Sequence, residues 1–302
     1  MELFALHHAA GRIAISDLTP LYELIQKTLP FESLQARFMQ QALVGLMLLA
    51  PMTAAMGMQV VNFRMAFFAD AISHSAFTGV AIGLIFSVNP HLTMPVFAFI
   101  VGLSIMAVLR RTSLSSDTII GVFFSAVIAF GLAVVSRNRS VARDMQRFLY
   151  GDILTVSEAD IIALIVLFVV LMVFQAWSYN RMLYIGLNPA LAKAHRVHVA
   201  FYQYTFAGLL SLVVIFSVWA VGILLVTAML IVPAASARNF ARSAGEMFWW
   251  ALVISLISVV TGLLISAQQW ARTATGPTIV LCTFAWFVIS TVAAFLRNEK
   301  NG

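Results

Sequence analysis

Asp70 and His74 stand four residues apart at the start of an apolar stretch, 68–88. In a helix this spacing puts both side chains on one face. A carboxylate at the centre of a bilayer costs about 2.5–3.5 kcal/mol on insertion scales, and such groups usually face a bundle interior or a polar path. A carboxylate with an imidazole is also a donor set for borderline divalent metals such as Zn²⁺ or Mn²⁺. The pair offers two ligands per chain, and a symmetric pair of chains would offer four. The competing reading is a hydrogen-bonded network of Asp70, Ser73 and His74 that only ties helices together. Phe77 and Ala81 continue the Asp/His face, whereas Gly79 and Gly83 lie nearly opposite as a G-x-x-x-G pair suited to close helix contact.

Two further stretches carry polar chemistry. Tyr150-Gly151-Asp152 reads either as a gate or docking surface at the membrane face or as a turn, with Gly151 supplying backbone freedom and Asp152 capping the segment after it. In Asn188-Pro189-Ala190-Leu191-Ala192-Lys193-Ala194-His195, Asn188 is placed to cap a short helix and Pro189 to begin it. This segment reads as a surface helix for a partner protein or as a solvated connector. His7 and His8 form a neighbouring pair in the N-terminal segment, and His91, His195 and His198 read as surface residues. Cys282 is the single cysteine. No G-x-x-x-x-G-K-[ST] loop occurs, so P-loop ATP binding is not expected of this chain, and no H-E-x-x-H occurs either.

The elements that must position these groups are set by composition. The 302 residues are 62% hydrophobic and only 10% charged, and the mean hydropathy is +0.96. Soluble domains are nearer 45–50% apolar and about 25% charged. The chain therefore reads as all-α and polytopic in the membrane, because long apolar runs in lipid must satisfy their backbone groups within helices. Candidate spans fall near 40–60, 68–88, 94–109, 117–136, 159–178, 203–219, 222–236, 248–267 and 277–296. That is nine transmembrane helices, or eight if the pair around Gly222 is one broken element. Pro233 is expected to break or kink its helix, and Gly276-Pro277 to form a turn opening the last span.

Basic residues orient the bundle. One set of gaps holds Arg64, Arg110, Arg111, Arg181, Lys193, Arg196, Arg238, Arg242, Arg297 and Lys300. The other holds Arg137, Arg139, Arg143, Arg147 and Arg272, with Arg12, Lys27 and Arg37 in the N-terminal segment. The first set is read as cytosolic by the positive-inside rule. The net charge of +6 is thereby assigned to membrane topology, and no nucleic-acid site is read. Residues 1–37 form a separate extension. Residues 1–20, with Glu2, His7, His8, Arg12 and Asp17, show no clean apolar leader segment. Thr19-Pro20 opens a short amphipathic helix with Leu21, Leu24, Ile25 and Leu29 on one face, suited to the membrane interface. Residues 38–302 form the transmembrane domain.

Taken in order along the chain, these residues resemble the permease subunits of ATP-binding-cassette importers for divalent metals, the zinc/manganese type. The matching stretches are Phe63 to Ser75, containing Asp70 and His74; Asp117-Thr118-Ile119-Ile120-Gly121; Leu149 to Leu154; Leu225 to Ala235; and Gly276 to Leu281. The resemblance implies a homodimeric permease bundle in a bacterial-type inner membrane. It also implies two cytosolic ATP-binding subunits and an extracytoplasmic metal-binding protein, with ATP driving alternating access. No cofactor would be bound by this chain; the divalent metal, Zn²⁺ or Mn²⁺, would be cargo. Asp70 and His74 then map onto the transport pathway. The segment 187–198, with Asn188, Pro189, Ala190, Ala192 and Lys193, maps onto the helix that couples to the ATPase. This sequence departs from the family where Asn188 replaces the usual Asp and where the usual Gly near His195 to Val197 is absent. The alternative function is an ATP-independent secondary transporter or channel for the same ions, in which a proton could pass through His74. A membrane enzyme is disfavoured, because Asp70 and His74 are the one clear intramembrane pair.

Overall fold

The computed structural model describes residues 19–28, 35–136, 156–268, 270–271 and 273–299. Eleven helices are seen among them: α1 (Thr19–Thr28), α2 (Arg37–Asn62), α3 (Phe68–Phe86), α4 (Pro90–Leu109), α5 (Ser116–Ser136), α6 (Glu158–Leu187), α7 (Pro189–Ala194), α8 (Val199–Val221), α9 (Ile223–Phe240), α10 (Ala244–Ser266) and α11 (Thr275–Glu299). Eight are long and apolar enough to cross a membrane: α2 to α6, α8, α10 and α11. The shorter apolar α9 stands apart from α8. Between them Gly222 adopts φ 84° and ψ 165°, a region of backbone space that is essentially glycine-only. The two segments around Gly222 are thus two helices.

The centre of the bundle is α2, with 78% of its apolar window buried, while α5 and α11 are peripheral at 22% and 17%. α2 packs against α6, α9 and α10, and α3 against α4 and α5. Small residues let these helices approach closely. A Cβ on Gly57 of α2 would sit 1.9 Å from the Leu230 carbonyl oxygen of α9. One on Gly79 or Gly83 of α3 would meet α4 at 2.8 Å from Met94 Cα or 2.5 Å from Thr93 Oγ1. The glycine pair opposite Asp70 and His74 is therefore a packing surface. Hydroxyls bridge the same crossings: Thr93 donates to the Gly79 carbonyl (2.7 Å), Thr78 to that of Val127 (3.0 Å) and Ser255 to that of Ala50 (3.0 Å).

Three local expectations change. α9 continues through Pro233 to Phe240, so the proline does not end it. Gly276 and Pro277 lie within the first turn of α11, where a missing N–H leaves no helical bond unmade. α1 is anchored by Tyr22, which is 4% exposed, while Leu24 is 57% exposed; Leu29 lies outside the described residues. The Arg37 guanidinium lies 5.3 Å from the Tyr22 ring and donates to Glu158 Oε1 at 2.7 Å, tying α1 to the starts of α2 and α6.

Candidate metal path and coupling segment

α3 begins after a tight turn. Phe63 ends α2, Arg64 takes the left-handed conformation (φ 55°), and the Met65 N–H donates to the Val60 carbonyl at 3.0 Å. Asp70 falls in the first turn of α3 and His74 in the next. Ala69, Ala71, Ile72 and Ser73 are fully buried, while Asp70, His74 and Phe77 are half-buried. The three define one open stripe on the otherwise packed first half of α3, at the spacing a shared helical face requires. Ala81 is buried and closes the stripe. On its flank, the His74 ring stands edge-on to Phe124 of α5 with centroids 5.0 Å apart.

The network reading is not formed. The Ser75 hydroxyl donates to its own helix at the Ile72 carbonyl (2.6 Å), and the buried Ser73 hydroxyl has no hydrogen-bond partner. Neither Asp70 nor His74 makes a hydrogen bond to another described residue. Their donor atoms are thus uncommitted and open on the stripe. Among the described residues no group of three or more His, Cys, Asp or Glu side chains could hold a metal. A complete metal shell built here needs donors from outside the described part of one chain. Phe124 gave no signal in the sequence beyond its place in an apolar run.

At one end of the bundle, Asn188 ends α6 and caps α7. Its Oδ1 accepts from the N–H groups of Ala190 (2.9 Å) and Leu191 (3.3 Å), and Pro189 opens the helix. The cap and the proline start read from the sequence are both formed. Ala192 is buried against the bundle, whereas Asn188, Pro189, Ala190 and Lys193 are exposed. α7 closes with the N–H of Val197 donating to the Ala192 carbonyl (3.0 Å) and that of Arg196 to the Lys193 carbonyl (3.0 Å). Arg196 is left-handed, φ 58°. It occupies the position that favours glycine in this type of helix ending, so the turn survives without one. Tyr150, Gly151 and Asp152 lie outside the described residues.

His7 and His8 lie outside the described residues. His91 lies against Trp219 with ring centroids 3.7 Å apart, and the His195 ring is 6.4 Å from that of Tyr184. A linear sequence could not show how four separate basic gaps meet: Arg64, Arg110, Lys193, Arg238 and Arg242 line one cavity of about 980 Å³. The signal in the sequence was the charge bias of those gaps, which by itself speaks only to orientation.

The architecture is that of a multi-pass membrane protein with an uncommitted polar stripe along α3. The chain belongs to the ABC 3 transport family, which residues 35–294 match. It is 32% identical over 249 residues to the high-affinity zinc uptake system membrane protein ZnuB of Haemophilus influenzae, covering 82% of this chain and 95% of that protein. It is 30% identical over 269 residues to the manganese transport system membrane protein MntC of Listeria monocytogenes, covering 89% and 94%. Among solved structures it is similar to PsaBC from Streptococcus pneumoniae in complex with Fab, with a TM-score of 0.71, 28% identity, and 91% of this chain and 95% of that one covered. The resemblance to metal-type permeases and the all-α multi-pass bundle read from the sequence are both borne out.

Proposed function

We propose that this chain is the membrane subunit of an ATP-driven importer of divalent transition metal ions, working as a homodimer in a bacterial-type inner membrane. Zinc is the cargo we assign, with manganese and iron as the alternatives to be separated by test. The observation that carries the reading is the open stripe of α3, on which a carboxylate and an imidazole one turn apart have no hydrogen-bonded commitment elsewhere among the described residues. Asp70 and His74 supply two donors per chain, and a twofold partner would complete four. Incomplete coordination by each chain suits a site that must release its ion. ATP would be hydrolysed on separate cytosolic subunits that act through α7, using Asn188, Pro189, Ala190, Ala192 and Lys193. An extracytoplasmic metal-binding protein would deliver the ion. The names of the zinc and manganese relatives support the substrate class, and carboxylate with imidazole suits either metal. Residues 1–37 are assigned as an extension whose α1 lies at the outer interface, and Tyr150-Gly151-Asp152 as a turn or gate on the same side.

The test is reconstitution of the dimer with its ATPase and binding protein in vesicles. Asp70→Ala and His74→Ala are each expected to lower Zn²⁺ uptake at least tenfold while leaving the complex assembled. Unchanged uptake in both variants sinks the site. Uptake that persists in ATP-depleted vesicles would instead favour an ATP-independent transporter. Rescue of a deletion strain by one metal and not the others decides the cargo.

A further inference from the structure

The cavity at the α7 end of the bundle is bordered by five basic side chains drawn from four separate gaps: Arg64, Arg110, Lys193, Arg238 and Arg242. No aspartate or glutamate among the described residues lines it, and none of the five forms an ion pair with a described residue. The nearby Glu246 is turned to its own helix start, where its Oε2 accepts from the backbone N–H of Arg242 at 2.7 Å. Arg110 is held 5.2 Å over the Tyr204 ring. A sphere of 980 Å³ is about 12 Å across against a Debye length of about 8 Å at physiological salt, so charges on adjacent walls act together while those on opposite walls are largely screened from one another.

Helix ends account for part of the pattern. Lys193 and Arg238 sit in the last turns of α7 and α9, where the helix dipole favours a cation. That effect does not require the cations to converge on one cavity. Arg64 and Arg110 also follow helix ends, those of α2 and α4, but the φ of 55° at Arg64 is a conformation that favours glycine. The chain keeps a positive charge where its backbone disfavours any side chain.

We propose that this cavity receives an acidic segment of the cytosolic ATPase subunit, whose carboxylates pair with these five side chains. The inference rests on the reading of the chain as an ATP-driven permease and adds a second contact, of stated chemistry, beside α7. Several carboxylates on one segment match cations spread around a cavity of this size better than a single small anion does. Charges exposed at a rim chiefly set association rate and salt dependence, so the contact is read through both.

The experiment uses the full chain in nanodiscs with its ATPase subunit. Association is measured at low and high salt for the wild type, for Arg238→Glu with Arg242→Glu, and for the milder Arg238→Gln with Arg242→Gln. Charge reversal is expected to weaken association at low salt roughly tenfold or more and to flatten its salt dependence, with the neutral pair in between. Equal affinity of all three at low salt overturns the proposal. So does a loss that tracks the phosphatidylglycerol content of the nanodisc in place of the ATPase, because the occupant is then a lipid headgroup. The exposed Leu191→Glu on α7 separates the two layers. If it abolishes association while the charge variants bind normally, the permease reading stands and the cavity proposal falls. If the wild type itself does not bind an ATPase subunit, both fall.

Discussion

At the scale of single residues, backbone conformation and side-chain identity pull apart at two arginines. Arg64 and Arg196 both occupy left-handed positions at the ends of helices, φ 55° and 58°. Glycine is less strained there, and Arg196→Gly is expected to stabilise the detergent-solubilised protein by up to about 1 kcal/mol, read as a rise in its thermal midpoint. Asp70 and His74 were legible in the sequence because charge is so scarce in the spans. What the sequence left open was whether Ser73 joined them in a network. That depends on rotamers and neighbours, and the structure turns Ser73 inward without a partner. Tyr22 was missed for a related reason. An aromatic with a polar tip scores weakly in an apolar stripe, yet it is the side chain that α1 buries.

At the scale of elements, α7 has six residues, far below the length at which an isolated helix is stable. Its shape therefore depends on the Asn188 cap, the Pro189 start and its buried Ala192. Asn188→Ala removes an acceptor used by two backbone N–H groups and is expected to cost about 1 kcal/mol locally, seen as faster hydrogen exchange over 189–195 and weaker coupling of ATP hydrolysis to uptake. Asn188→Asp keeps a cap acceptor and is expected to retain coupling. Helix crossings give a second expectation. Gly57→Ala would drive a Cβ into the Leu230 carbonyl and is expected to destabilise by about 1–3 kcal/mol. Gly121→Ala inside α5, where a Cβ meets nothing within 4 Å, serves as the control and is expected to raise the midpoint slightly in the same thermal assay. Helix existence was legible from apolar run length, and the Gly222 break from a glycine between two short runs. The passage of α9 through Pro233 was not, because neighbours decide whether a proline ends a helix or is carried within it. Gly57 was illegible for the same reason: a lone glycine gives no sign of which backbone will press against it.

At the scale of the whole molecule, orientation and docking share one feature, the gathering of four basic gaps at the α7 end. For the proposed cargo this ring of cations has a consequence of its own. On the proposed reading the imported ion carries two positive charges and would leave at this end of the bundle. A local potential of about one kT per unit charge lowers the concentration of a divalent cation roughly sevenfold, and protein surfaces reach several kT. An uncovered mouth thus works as an electrostatic seal. On the proposed docking, carboxylates in the cavity would lift it, so that ions would pass only when the motor subunit is seated. Vesicles carrying this chain alone are accordingly expected to hold a Zn²⁺ gradient, and Arg238→Gln with Arg242→Gln to let it decay faster, as monitored with an entrapped metal-sensitive dye. Equal decay in the two preparations would leave the cations with no part in keeping an idle permease closed to its own cargo.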